Sequence, residues 1–528
     1  MKSIKKWLQQ EKRYVTLLKA MLLAALPFLC CALRVCMDNE TISQVWLPGS
    51  EWNDELFYFK QVESILEYGY PYGFFGFNES QARVLSFAAW SPVLVFPWIL
   101  WGLLFGWNLM SPIWCNITFL AIIFFLYVCL VKPTWKQLGL TALLLCFFTP
   151  MWRYALSGMP EVLCMGSVIA FYGVAHWYLK TKKTGALVTM FVLAGLMTLM
   201  RPYFLLFLLL PAWLWMKRSR WIGLVGSGLV TALVFGMYLG INRYLGAAYF
   251  APLFFTDWLE AFFTEGIGRG IYVTLGKLYR MGEQFLRFSF EGFRSGLYAG
   301  TFFGVFGVSF LVLAVQSIRD YRSFRKKKQE ETASALILQG HLLFCFTAMF
   351  FAILLMYKLT EGSRHLLTFV AAGIFLIGGM PTVYYKKVTL LGITLAFLFL
   401  VKPQDPIVFQ IPYGDEAARA LFAQEEECFA RELVLETKEV PSFDNVVIWV
   451  VSDRVDGTEK MVNWQALYGL PAGYGISCCQ GAFCLENLEQ LQSKYLLTIP
   501  GGSLDDALAK LGRRVLVRDE RIVLYQLR

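Results

Sequence analysis

The chain is poor in charge, has almost no histidine, and lacks every short loop that marks soluble catalysis. Only 16% of its 528 residues are charged, against 57% apolar and 17% aromatic, and its mean hydropathy is +0.52. So little charge cannot cover a soluble protein of this length, which leaves a polytopic α-helical membrane protein. Three histidines without paired spacing argue against a zinc site. The polar C-terminal stretch has no Gly-rich phosphate loop, no nucleophile elbow and no metal-spaced Cys/His set. After the first apolar run there is no small-x-small cleavage site, and Arg34 breaks the expected c-region, so this run reads as an uncleaved first span.

What is present begins with the pattern of charge. The net +10 is concentrated in short clusters between apolar runs, so it reports orientation and not nucleic-acid binding. Residues 1–14 are basic and are placed inside, with a first span at 15–36. The segment 90–106 is long enough to span, but Pro92, Pro97 and its tryptophans suit the interface. If it lies on the surface, the clusters Lys132/Lys136, Lys180/Lys182/Lys183, Lys217/Arg218/Arg220, Arg319 through Lys328 and Lys386/Lys387 all fall inside. If it spans, they all fall outside, against the positive-inside rule. The remaining spans are then expected at 108–131, 137–150, 162–179, 185–200, 203–216, 221–240, 297–317, 335–357, 366–383 and 388–402, about eleven in all. The short ones, 137–150 and 203–216, require tilt or local thinning.

The membrane domain thus covers 1–402, with outer loops at 37–107 and 241–296, and a small α/β domain outside the membrane covers 403–528. In the tail, Asn445–Val451 reads as a strand, Leu504–Leu511 as a helix, and Arg514–Val517 with Arg521–Tyr525 as two strands around a charged turn. Most of the twelve cysteines lie in apolar runs and act as small hydrophobes. Cys478, Cys479 and Cys484 could supply one disulfide, with the pairing open.

The candidate site residues lie in the outer segments. Gly49 to Tyr58 places adjacent carboxylates, Asp54 and Glu55, at the lip of the first span, and apolar residues follow at Phe59, Val62, Leu66 and Tyr70 with helical rhythm. Glu161 follows Pro160 at a later outer turn, where a helix N-terminus would also favour an acid. Arg201 precedes Pro202 between two spans, and a cation there asks for a partner such as a lipid phosphate or Glu161. Arg364 and His365 close the stretch Lys358-Leu-Thr-Glu361-Gly-Ser-Arg364-His365. Arg280, Arg287 and Arg294 recur at seven-residue spacing with Lys277 before them, a face that can meet phosphates or reach lipid headgroups.

The order of these pieces resembles the GT-C superfamily of polyprenyl-phosphate-sugar glycosyltransferases, which includes protein O-mannosyltransferases and the lipid A aminoarabinose transferase. The likeness rests on an outer acidic pair, the Ser-Pro-led aromatic segment 91–106 ending in Leu-Phe-Gly, Pro160-Glu161, Arg201-Pro202 and Glu361-x-x-Arg364. It covers roughly 15–400 and, more loosely, the tail; the Trp-Trp-Asp motif of oligosaccharyltransferases is absent. The resemblance implies a GT-C-like fold and transfer of a sugar from a polyprenyl-phosphate donor to a glycan, lipid or protein acceptor at the outer face of a bacterial plasma membrane. It implies Asp54 as general base with Glu55 beside it, and Glu161 as a second acid that orients the acceptor. It further implies Arg364, Arg201 and His365 as ligands of the donor phosphate, where His365 stands at a position that relatives commonly fill with an aromatic; Arg280 and Arg287 join them as candidate phosphate ligands by their spacing alone. A divalent cation, Mg or Mn, held by Asp54 and Glu161 is compatible with that chemistry. Two other classes compete: a flippase, which calls for internal repeats and ionisable groups within spans, and a scaffold of an envelope-polysaccharide complex, which leaves the outer acids without a role.

Overall fold

A computed structural model describes residues 2–49, 53–70, 74–79, 91–246, 255–295, 330–357, 359–378, 411–435 and 443–528. The spans expected at 297–317 and 388–402 lie outside the described residues.

Helix α1 (Lys2–Cys36) is the first apolar helix, and Arg13–Cys36 is long and apolar enough to cross a membrane. Helix α2 (Asp54–Tyr68) opens with both carboxylates in its first turn, where the helix dipole favours negative charge, and ends at Gly69 in the left-handed region. The short strand β1 (Phe74–Phe77) follows. Pro92 and Pro97 then set up a 3-10 turn and α3 (Phe96–Phe105). At 1.5 Å per residue α3 extends only about 15 Å, half a hydrocarbon core. This matches the interfacial reading of 90–106.

Helix α4 (Ser111–Val131) packs along α1 and against α7. The segment expected at 137–150 is bent: α5 (Trp135–Phe147) breaks at Phe148 into α6 (Thr149–Ala155) at 68°. Pro150 accounts for the break, because it has no N–H to continue the ladder of α5 and sits in the first turn of α6, where none is needed. Helix α7 (Glu161–Thr181) is the most enclosed span, while α8 (Thr184–Met200) is short. Between α8 and α9 (Leu209–Arg218) a 3-10 stretch runs from Pro202 to Leu208. Helix α10 (Arg220–Leu245) buries few of its side chains and offers most of its apolar surface outward. Helices α11 (Asp257–Thr264) and α12 (Ile267–Ser295) form a hairpin, followed by α13 (Glu330–Met356) and α14 (Leu359–Gly378). Among the described residues five helices are long and apolar enough to cross a membrane, so the chain is a multi-pass membrane protein.

The C-terminal region contains α15 (Glu416–Glu432), β2 (Val446–Val450), β3 (Ser452–Val455), β4 (Thr458–Met461), β5 (Gly475–Cys479), α16 (Gly481–Glu486), β6 (Tyr495–Thr498), α17 (Ser503–Lys510), β7 (Arg514–Arg518) and β8 (Val523–Gln526). The six-stranded sheet runs β1-β5-β2-β6-β8-β7, parallel from β1 to β6 and antiparallel thereafter. Strands β2 and β5 are buried at every position, as expected of central parallel strands. The edge strand β1 is contributed by the first outer loop. Glu79, just beyond it, accepts backbone hydrogen bonds from Gln492 and Ser493. The tail also clamps α2: buried Lys60 donates to the Leu470 carbonyl, Tyr68 to that of Ala472, and Phe59 packs on Tyr468. Cys478, Cys479 and Cys484 are buried free thiols.

Within the tail, Glu425 is fully buried with Arg521 Nη2 2.9 Å from its Oε2 and the Asp519 carboxyl nearby. Burial, aided by Asp519 and opposed by Arg521, pushes its carboxyl up to about 8. A folded-state value above the unfolded one means that the folded tail holds this proton longer. The contribution to stability is complete below pH about 4.5 and is lost as pH rises towards 8. Amide exchange in β8 is therefore expected to be slower at pH 5 than at pH 8.5 once intrinsic rates are corrected. Glu425→Gln should flatten that difference, and an unchanged slope would remove Glu425 as its cause.

Candidate functional site

Two proline-marked turns and the starts of two other helices bring distant residues to one end of the bundle. Asp54 stands at the N-terminus of α2, and Glu161 at that of α7 after Pro160. Pro202 restricts Arg201 to extended backbone (φ −150°, ψ 130°), which ends α8 and turns the arginine inward. Arg364 and His365 lie in the second turn of α14, about 100° apart around the axis, so they face different neighbours.

The deepest contact joins Arg201 to Glu161, with Nη2 donating to Oε1 at 2.8 Å and both side chains fully buried. Arg201 Nη1 donates to His365 Nδ1 at 2.8 Å and approaches the Tyr203 hydroxyl at 3.3 Å. An arginine has only donors, so His365 Nδ1 carries the lone pair and the ring proton sits on Nε2. Nearer the surface, Arg364 Nη2 donates to Asp54 Oδ2 at 3.0 Å, and its Nε lies 3.8 Å from Glu161 Oε1. Arg364 and Asp54 keep 21% and 34% of their side-chain surface exposed, so the pair is open where the pair behind it is sealed. Arg364 Nε and Glu161 Oε2 are buried and have no hydrogen-bond partner among the described residues.

The sequence-predicted residues thus divide into two groups. Asp54, Glu161, Arg201, Arg364 and His365 form one connected network. Glu55 does not face it: fully buried one position on, it packs its Cβ against Gly158, where an added Cβ would come within 3.2 Å, and it lies close to Tyr468. Arg280 and Arg287 are exposed on α12, outside the network, and Arg287 has Glu283 at 4.0 Å.

Several neighbours were not singled out from sequence. Tyr58, one turn beyond Asp54, is buried against Trp98, and burial, then the Asp54 carboxylate, hold its phenol well above the usual value. Asn116 of α4 accepts from Trp98 Nε1 at 2.9 Å and donates to the Ser157 carbonyl at 2.9 Å. This fully buried amide joins α3 to the turn that leads into Glu161. A lone amide in the middle of an apolar span was the available signal.

Asp54 and Glu161 are the acids between which a divalent ion would be held. The Arg364 guanidinium contacts both, and Arg201 stands behind Glu161. A divalent cation inserted here would oppose two fixed positive charges, so the donor set does not fit a metal, and arginine supplies the positive charge.

No sequence-family profile matches the chain, and comparison with curated proteins finds no match. Among solved structures, the chain is similar to ArnT from Cupriavidus metallidurans, bound to undecaprenyl phosphate and in the apo state, at 13% identity and a TM-score of 0.42 over 96% of this chain and 97% of that one. It is also similar to the archaeal oligosaccharyltransferase AglB from Archaeoglobus fulgidus, in complex with an inhibitory peptide and a dolichol-phosphate, at 12% identity and a TM-score of 0.46 over 92% of this chain and 69% of that one. The likeness is one of overall arrangement. The roles of individual residues rest on the contacts above.

Removing one partner of a buried pair strands the other charge, at a cost of about 3–5 kcal/mol. Arg201→Met is expected to lower thermal stability in detergent by that order, and Arg201→Met with Glu161→Gln should recover part of the loss; strict additivity would count against the pair. A chelator should leave turnover unchanged, and loss of activity restored by Mg or Mn would overturn the reading of the donor set.

Proposed function

We propose that the chain transfers a sugar from a polyprenyl-phosphate donor to an acceptor hydroxyl at the outer face of the membrane, with inversion at the anomeric carbon. The observation that carries this reading is the half-open Asp54–Arg364 pair with an unfilled Arg364 N–H, backed by a sealed Glu161–Arg201 pair. Phosphate is already a good leaving group, so the protein needs to accept one proton and stabilise one departing dianion. Asp54 accepts the proton of the acceptor hydroxyl as its oxygen bonds to the anomeric carbon. The bond from that carbon to the phosphate oxygen breaks, and polyprenyl phosphate leaves against the Arg364 guanidinium, whose fork matches phosphate geometry. The resting Asp54–Arg364 contact holds the two groups together until the donor phosphate draws Arg364 towards itself and frees the carboxylate.

Glu161 and Arg201 act through position in this account. Their buried contact fixes the rear of Arg364 and holds His365 in the Nε2–H tautomer. The acceptor class is a glycan, lipid or protein of the envelope. The tail, which clamps α2 through Lys60 and Tyr68, serves to hold the Asp54 helix in register with Arg364.

Asp54→Asn keeps the size of the side chain and removes its basicity. It is expected to slow sugar transfer by about 10²–10⁴-fold with little change in donor affinity. Near-normal turnover would remove Asp54 as the base, whereas intact donor binding with no transfer by the wild type to any acceptor would favour the flippase.

A further inference from the structure

Outside the site, helix α12 carries exposed apolar side chains on one side and cations on the other. Its 29 residues extend about 44 Å. Arg269, Lys277, Arg280, Glu283 and Arg287 within one helix forbid it from crossing a hydrocarbon core. At 3.6 residues per turn Arg269, Arg280 and Arg287 fall within about 20° of one another. Ile267, Ile271, Leu275 and Leu286 gather on the other side, and each is exposed, from 48% to 74%.

The base of the hairpin is fixed. Phe255 N–H donates to the Met356 carbonyl at 2.9 Å, Lys277 pairs with Asp257, and Lys277 also lies over the Phe255 ring. Met356 ends α13 just before α14 brings in Arg364, so the hairpin is rooted at the site end of the bundle. It also begins just after α10, a span whose apolar sides face outward. The exposed face of α12 is therefore held at the end of the bundle that carries Arg364.

We infer that α12 lies in the plane of the site-side leaflet, with Ile271, Leu275 and Leu286 sunk into the boundary between headgroups and acyl chains. Its arginine row stands on the polar face, within reach of headgroup phosphates. An amphipathic helix with basic residues on its polar face and large apolar residues opposite has this resting place. The partner is the phospholipid headgroup layer, and the inference stands apart from the transferase reading.

The test uses the full chain in phospholipid nanodiscs, with the exposed Cys36 and Cys146 replaced by serine. A fluorophore is placed on cysteine at Leu275, at Leu286 or at Arg280, each variant accepted only with unchanged thermal stability. A lipid bearing a quencher high on its acyl chain should quench the labels at 275 and 286 more than the label at 280, and aqueous iodide should give the reverse order. Equal iodide access at all three positions would place α12 in water and overturn the inference. Protection from both quenchers, lost on dilution to one copy per disc, would assign the face to a second copy and overturn it as well.

Discussion

A buried guanidinium–carboxylate contact is the constraint around which the described structure is arranged. Arg201 and Glu161 are both sealed from solvent, and neither can be kept there without the other. Two prolines make the contact possible. Pro160 caps α7 where Glu161 begins it, and Pro202 ends α8 with Arg201 in extended backbone. Arg364 then leans on Glu161 from the solvent side and reaches Asp54. Charge thus alternates outward from the core: Arg201, Glu161, Arg364, Asp54. Only the last pair is open to a substrate.

The same arrangement explains why α2 is braced so heavily. The base role proposed for Asp54 requires a carboxylate held within hydrogen-bond reach of its proton, and α2 alone is a four-turn helix. Trp98 packs on Tyr58 from the membrane side, with Asn116 fixing the indole. From the other side Lys60 and Tyr68 bond to the tail, while β1 joins the tail's sheet as its edge strand. The tail and the segment from α2 to β1 are in this sense one structure, although they lie far apart in the chain.

Much of this was legible in the sequence because charge is scarce in an apolar chain. Asp54, Glu161, Arg201, Arg364 and His365 stood out as the polar residues at outer turns, and Glu161 was already a candidate partner for Arg201. The strands at Val446–Val450 and Val523–Gln526 were legible from their β-branched runs. Long-range pairings were not. Nothing local states that Arg364 meets Asp54, 310 positions away, or that Phe74–Phe77 adds to a sheet made mostly after residue 445. Glu55 read as a second site acid beside Asp54 because a sequence shows adjacency and not the turn of about 100° between neighbours on a helix. Arg280 and Arg287 had the right chemistry for phosphate, and only their placement on exposed α12 separates them from the network. The broken helix at Phe148 was hidden because hydropathy continues unchanged across Pro150.

The central claim is that donor phosphate is held at Arg364 and not along the arginine row of α12. Native mass spectrometry of the purified protein with its co-purified lipids tests it most directly, comparing wild type, Arg364→Ala and Arg287→Ala. A polyprenyl-phosphate sugar is expected bound to wild type and to Arg287→Ala, and depleted in Arg364→Ala. The same lipid retained equally by all three proteins, or lost only from Arg287→Ala, would contradict it.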